Sequence, residues 1–406
     1  MPKLKLKYKI LIPITLILIL FTSILIILKV SRKPLEWSAD NSLIPVAAPA
    51  LQDDRPVDSL VQAIDLSLRF LEQLEADEEF IFGGKRFSSQ QVRDSLLDVK
   101  DKLAQWGLTE DFFLYLRDNY RFYRSAVKEV RFTGYFEARL KGSLKPSETY
   151  AYPLYRKPDD LVQIDLSQFY FFDRFKGLPR RIRGRLNTDN RIVPYYDRRE
   201  IDSHQALVGR GLEMVWVDDP IDLFFLQIQG SGLVQLESGG SLRVNYADSN
   251  GHPYRAIGRL LVEQGVLSRE DVSMQSIRRY LEQHPEEMAE IFNYNPSYVF
   301  FRQVAEGPIG AIGVPLTPLR SIAVDPYIFP RGVLCTIDTQ LPVFDKDNQL
   351  TGWQPFRGFV LNQDTGGVIR GPARVDLFTG NGPHSELIAG HLNQTGTLHF
   401  LIKKQE

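Results

Sequence analysis

Near its carboxyl terminus the chain reads Gly371-Pro-Ala-Arg-Val-Asp-Leu-Phe-Thr-Gly380, preceded by Asn362-Gln-Asp-Thr-Gly-Gly367 and Ser321-Ile-Ala-Val-Asp-Pro326. Each segment joins a short apolar, strand-like run to an aspartate flanked by glycine or proline. Such punctuation predicts strands whose end loops present Asp325, Asp364 and Asp376. A carboxylate held there can be tuned by burial and by neighbouring N–H groups, which is what a general acid needs. Taken singly, an aspartate before proline or glycine is a common turn residue. The strand reading extends through Tyr298–Phe301, Ser321–Val324, Val333–Ile337, Phe356–Leu361 and Thr397–Lys403.

Working outward from this β-rich end, the bulk numbers exclude several classes of function. The 406 residues carry a formal net charge of −1, which gives no field favouring nucleic acid or an anionic bilayer. Cys335 is the sole cysteine, so neither an intramolecular disulfide nor a thiolate metal cage is possible. The six histidines form no HxH, HExxH or i, i+4 pair, so no metal and no cofactor is expected.

At the other end, Lys3, Lys5, Lys7 and Lys9 precede an uncharged run from Ile10 to Leu28, closed by Lys29, Arg32 and Lys33. As a helix it measures roughly 28 Å, enough to cross a hydrocarbon core. An uncleaved anchor over 1–30, tail inside and body outside, is the preferred reading, with a cleaved signal as the alternative. Either way the body is exported. Residues 31–57 hold prolines and no period and read as a tether. Helices are expected from Leu60 to Leu74, from Ser88–Ser89 to Gly107, and from Thr109. Beyond Val130 strand-like runs take over, and 147–241 reads as a second, mostly β domain. Further helices are expected around Ile257–Val262, from Ser268 to His284 and from Glu286 to Phe292. The lone glycine of Thr133-Gly-Tyr-Phe-Glu137 marks a bulge or a close approach by another molecule.

Thr133–Glu137 also belongs to a longer set: Gln227-Ile-Gln-Gly-Ser-Gly232, Val244-Asn-Tyr-Ala-Asp-Ser-Asn-Gly-His-Pro-Tyr-Arg-Ala-Ile-Gly258, Asn295-Pro-Ser-Tyr-Val-Phe-Phe301 and Gly307-Pro-Ile-Gly-Ala-Ile-Gly-Val-Pro-Leu-Thr-Pro318. With the three aspartate motifs, in order over roughly residues 130–400, the set resembles the membrane-bound lytic murein transglycosylase A (MltA) family and its C-terminal 3D module. The resemblance implies a mainly β fold with N-terminal helices: a double-psi β-barrel, formed by 58–146 and 242–406, with a smaller β domain inserted at 147–241. It implies exolytic cleavage of the MurNAc–GlcNAc β-1,4 bond of peptidoglycan to 1,6-anhydro-MurNAc ends by a membrane-anchored, monomeric envelope enzyme. It makes Asp376 the acid/base, with Asp364 beside it as the other catalytic carboxylate, and Thr133, Gln229 and Ser231 residues of the glycan groove. Gln363 and Thr365, flanking Asp364, join the substrate-binding set. The chain departs from the family pattern at Ala138, where proline is frequent, at Leu319, where glycine is, and at Thr379, where an aromatic is. The family's lipid-attachment cysteine is also missing.

Physical chemistry explains how one carboxylate serves. Hydrolysing glycosidases generally need two, but here the nucleophile is the substrate's own C6 hydroxyl, at an effective molarity of about 10⁵ M or more. The acid must start protonated near neutral pH, so burial or a nearby anion such as Asp364 should raise its pKa. Sugar faces suit Tyr135, Tyr246 and Tyr254, although core packing is the commoner use of a tyrosine. Arg180, Arg181, Arg183 and Arg185 suit carboxylates of the stem peptide, although a solvated basic surface is commoner. Asp364-Thr-Gly366 has no second copy, which argues against an aspartic peptidase. The remaining alternative is a non-catalytic module that binds the wall.

Overall fold

The computed structural model describes residues 37–169, 171 and 181–405. The expected anchor and Arg180 lie outside the described residues. Among the described residues no helix is long and apolar enough to cross a membrane.

The chain runs β1 (Leu43–Val46), α1 (Val57–Leu71), β2 (Glu79–Phe82), β3 (Lys85–Ser88), α2 (Ser89–Trp106), α3 (Glu110–Asn119), β4 (Tyr120–Ser125) and β5 (Val130–Ser143). There follow β6 (Tyr152–Tyr155), β7 (Val162–Asp165), β8 (Arg181–Leu186), β9 (Ile192–Val193), β10 (Glu213–Val217), α4 (Pro220–Gln229), β11 (Ser231–Leu236) and β12 (Ser241–Ser249). Three helices, α5 (Ile257–Glu263), α6 (Met274–Gln283) and α7 (Met288–Asn293), lead to β13 (Val299–Gln303) and β14 (Ser321–Ala323). The chain ends with β15 (Leu334–Phe344), β16 (Leu350–Asp364), β17 (Arg374–Asn381), α8 (Pro383–His391) and β18 (Asn393–Lys403). The fold is mainly β with helices, as expected.

The first three helices form where their apolar spacing predicts, α1 three residues earlier than expected. Ser88 opens α2 with a capping box: its hydroxyl accepts from Gln91 N while Gln91 Oε1 accepts from Ser88 N. Gly107, at φ +64°, closes that helix. Helix α6 starts five residues later than expected. Ser273 makes its capping box, while the Ser268 hydroxyl binds Asp271 in the turn before it.

Two other expectations need correction. Pro220–Gln229, placed in the strand-rich stretch, is helical. Asp219 accepts from Ile221 N at 2.7 Å and Pro220 sits at the first position, a standard helix start. Its residues are apolar on nearly every side, which erases the helical period. The tether, in its described part, is fixed to the body. β1 pairs antiparallel with β4, and the Asp53 carboxylate is fully buried against Arg320. Arg320 Nη2 donates to Asp53 Oδ1 at 3.1 Å, and Phe359 N donates to Asp53 Oδ2 at 2.8 Å. A four-residue strand and one ion pair leave no periodic trace.

In the large sheet β18 pairs with β15, β15 with β16, β16 with β14, β14 with β17, β17 with β5, and β5 again with β18. The pairing closes into a ring, which leaves these strands no free edge. Arg131–Glu137 of β5 pair with β17, whereas Ala138–Gly142 pair with β11. One strand therefore runs from the ring into the β11–β12–β13 extension. On one face of the ring Phe132, Ile322, Val375 and Leu377 are fully buried. Period two sends their neighbours Thr133, Ala323 and Asp376 to the other face. Gly134 faces the apolar side, and a Cβ there would stand 2.8 Å from Ala389 Cα. The close approach read from this glycine is therefore made by helix α8 of the same chain.

Candidate active site

β14 lies between β16 and β17. Ala323 is opposite Asp364 on one side and Asp376 on the other; Asp376 is opposite Thr133 of β5, and Thr133 opposite Asn393 of β18. A transverse row, Asp364–Ala323–Asp376–Thr133–Asn393, thus crosses the ring. Strands sit about 4.8 Å apart, so the aspartate backbones are about 10 Å apart with only a methyl group between them. The row depends on a bulge. Ile322 pairs with Asn362 and Ala323 with Asp364, leaving Gln363 as the extra residue that brings Asp364 into line. Asp364 ends its strand, as expected; Asp376 is the third residue of β17 and not part of an end loop.

The two carboxylates are held differently. Asp364 takes three donors: Tyr135 Oη at 2.7 Å on Oδ2, with Ala311 N at 2.9 Å and Thr365 N at 2.8 Å on Oδ1. Asp376 takes one, from Thr133 Oγ1 at 2.8 Å on Oδ1. Among the described residues Oδ2 of Asp376 has no donor. Both side chains keep some exposure, yet the crowding of protein around them raises each pKa from 3.8 to about 6. For Asp376 that burial outweighs the Thr133 hydrogen bond and the Arg374 charge, which act downward, and the Asp364 charge adds to the rise. Three donors favour the anion at Asp364 and one does so at Asp376, so Asp376 is the better placed of the two to keep a proton. Tyr135 stays neutral, its pKa pushed well up by burial and by both aspartates. Its ring packs 5.3 Å from Phe378.

Arg374, two residues before Asp376, was not singled out from the sequence. Its Nη2 donates to Thr133 Oγ1 at 3.3 Å, which orients the Thr133 hydroxyl toward Asp376. Period two along the strand is the signal that could have found it.

The remaining candidates are dispersed. Gln363 is wholly buried, with Nε2 on Ala63 O and Ser67 Oγ and Oε1 taking Ser321 Oγ. Its expected contact with substrate is therefore corrected: it ties α1 to the ring beneath the row. Thr365 gives Asp364 its N–H, and its hydroxyl is buried with no partner among the described residues. Gln229 ends α4, its Oε1 accepting from Phe136 N at 3.0 Å. Ser231 is buried at the start of β11, opposite Asn245. Both lie beyond the row, toward the far half of β5. Tyr246 and Tyr254 are exposed at 40% and 37%, so they are not core residues. Arg183 is bound to Asp248 at 2.5 Å and Arg185 lies 4.0 Å over the Tyr196 ring. Asp325 accepts from Tyr327 N and Gly371 N, a turn-holding role. Thr379 is buried and donates to Ser385 O, so its departure from an aromatic does not touch the row. Leu319 has φ +57°, a backbone region that glycine adopts more freely. A cavity of about 400 Å³ lined by Arg55, Phe344, Gln354, His384 and Ser385 holds neither aspartate.

Ring and row define a β protein with two aspartates in register on one face of a closed sheet. The family model for the MltA specific insert domain matches residues 131–302, and that for the 3D domain matches 320–402. Membrane-bound lytic murein transglycosylase A of Vibrio cholerae is 32% identical over 270 residues, 66% of this chain and 64% of that protein. The Escherichia coli protein of the same name is 31% identical over 275 residues, 67% of this chain and 65% of its own length. The match thus spans just under two thirds of these curated relatives. The crystal structure of a membrane-bound lytic murein transglycosylase from Agrobacterium tumefaciens is 31% identical, with a TM-score of 0.72 over 89% of this chain and 98% of that one. The chain belongs to the MltA family.

Proposed function

We propose that this chain is a peptidoglycan lytic transglycosylase that cuts the MurNAc–GlcNAc β-1,4 bond with Asp376 as its single acid/base. One observation carries the proposal: a carboxyl raised to about 6 stands in register with a second one that is better supplied with donors. The names of its relatives support the same substrate.

Asp376 starts protonated on Oδ2, the oxygen that Thr133 leaves free. It gives that proton to the glycosidic oxygen as the C1–O4 bond breaks and GlcNAc leaves. Positive charge then builds at C1 of MurNAc, and the anionic Asp364, across Ala323 from Asp376, favours it. The MurNAc C6 hydroxyl closes onto C1, and its proton passes to the Asp376 carboxylate. Bonds and protons balance without water, and the enzyme returns to its starting state.

Tyr135 and Thr133 orient the two carboxylates, while Gln229, Ser231 and Thr365 line the path of the strand. The ring is read as a double-psi barrel built from 58–146 and 242–406 around the insert 147–241. The exolytic mode follows the family resemblance; membrane anchoring through the N-terminal run, with the body facing the periplasm, follows the uncharged segment from Ile10 to Leu28 and its flanking charges, and the enzyme is taken as a monomer. Digestion of purified murein sacculi tests the activity. Wild type should release 1,6-anhydro-muropeptides and Asp376→Asn none; sacculi bound but uncut by wild type would instead mark a wall-binding module.

A further inference from the structure

We infer that Arg374 and Arg131 form a carboxylate-binding subsite beside Asp376 that reads the acidic muramyl unit of the glycan, an inference that rests on the glycan-cleaving role proposed above. The two arginines are direct register partners in the parallel pairing of β17 with β5. Each lies two residues before a member of the row, Asp376 or Thr133, so period two puts all four side chains on one face. Like charges directly opposite each other in a sheet repel. Burial lowers the pKa of Arg374 and the Arg131 charge adds to that, against the opposing pull of Asp376.

Among the described residues no carboxylate hydrogen-bonds or ion-pairs with either guanidinium. Arg131 Nε donates to the neutral Asn393 Oδ1 at 2.7 Å, and Arg374 Nη2 to the neutral Thr133 Oγ1. Arg374 Nε is buried with no hydrogen-bond partner among the described residues. Among the described residues neither guanidinium makes an ion pair. Arg131 is exposed and Arg374 half-buried, so the pair opens to solvent at the end of the row. Two adjacent guanidinium forks with donors to spare match a planar carboxylate.

The position selects the ligand. Two residues along a strand span about 7 Å, so a carboxylate here lies within reach of the substituent on the sugar being cut. Of the two alternating sugars, only the muramyl unit carries an acid. In stripped strands it is the free lactyl carboxyl; in stem-bearing strands that carboxyl is amidated and the peptide supplies carboxylates of its own. A bound carboxylate also offsets the Arg374 charge, which otherwise holds the pKa of Asp376 down. Loading the correct sugar thereby favours the protonated acid.

Calorimetric titration of the full chain carrying Asp376→Asn, which stops turnover, tests the subsite with three probes: a GlcNAc–MurNAc tetrasaccharide with free lactyl groups, the same with stem peptides, and chitotetraose. Adding Arg374→Gln or Arg131→Gln should weaken the carboxylate-bearing probes about tenfold to a hundredfold and chitotetraose less than twofold. The muramyl probe that loses more identifies the source of the carboxylate. Arg374→Lys, which keeps the charge but not the fork, should fall between. Equal losses for all three probes, or none, would overturn the subsite while leaving the glycan reading intact; failure of Asp376→Asn to bind any probe would overturn both. Arg131 is on the surface, so its variant keeps the test open if Arg374→Gln folds poorly.

Discussion

Replacing Asp376 with asparagine should stabilise the chain at neutral pH while ending catalysis. Asparagine keeps the shape and the oxygen that accepts from Thr133, but removes a charge that the fold disfavours. The carboxyl rises from 3.8 to about 6 on folding. The folded chain therefore holds a proton that the unfolded chain has released. The stabilisation from that proton is complete below about pH 4 and lost as pH rises through about 6. A shift of about two units at 1.36 kcal/mol each sets an upper bound of roughly 3 kcal/mol. Partial exposure and coupling to Asp364 reduce this to about 1–3 kcal/mol. Urea unfolding of wild type and Asp376→Asn at pH 4.5 and 7.5 measures it. The variant's advantage should be small at pH 4.5 and reach that range at pH 7.5. An advantage that is absent at pH 7.5, or larger at pH 4.5, would refute the claim that the fold penalises this charge.

Three further substitutions separate chemistry from scaffold. Thr133→Val removes the donor that favours the charged form of Asp376, so its pKa should rise and the alkaline limb of kcat/KM on murein should move to higher pH; an unmoved limb counts against the pairing. Asp53→Ala leaves Arg320 buried without its counter-ion and should cost about 3–5 kcal/mol in urea unfolding. Gln363→Leu strands the partners on α1 and Ser321, and should cost about 2 kcal/mol or more while kcat of the folded protein stays near wild type. A large fall in kcat at full stability would return Gln363 to the groove.

Apolar spacing made α1 to α3 legible, with a capping box and a closing glycine added at α2, because these signals lie within a few turns of each helix. The aspartate motifs were legible for a similar reason: glycine and proline bracket Asp364 and Asp376 locally. What joins them was not. Thr133 and Tyr135 reach these aspartates across 243 and 229 residues of chain, through a parallel pairing that no local pattern encodes. The bulge at Gln363 decides which of two adjacent polar residues enters the row, and it exists only relative to β14. Asp53 looked like part of a tether because its partner Arg320 is 267 positions away. Helix α4 was missed for the opposite reason: an almost wholly apolar segment shows no amphipathic period, and only Asp219-Pro220 announced it.

Whether water enters the bond-breaking step tests the central claim most directly. Sacculi digested by the purified chain in heavy-oxygen water should yield 1,6-anhydro-muramyl products without the label, and Asp376→Asn should yield none. Reducing ends that carry the heavy oxygen would mean that water, not the sugar's own hydroxyl, attacks C1, and a lone proton-shuttling aspartate at position 376 would no longer account for the chemistry.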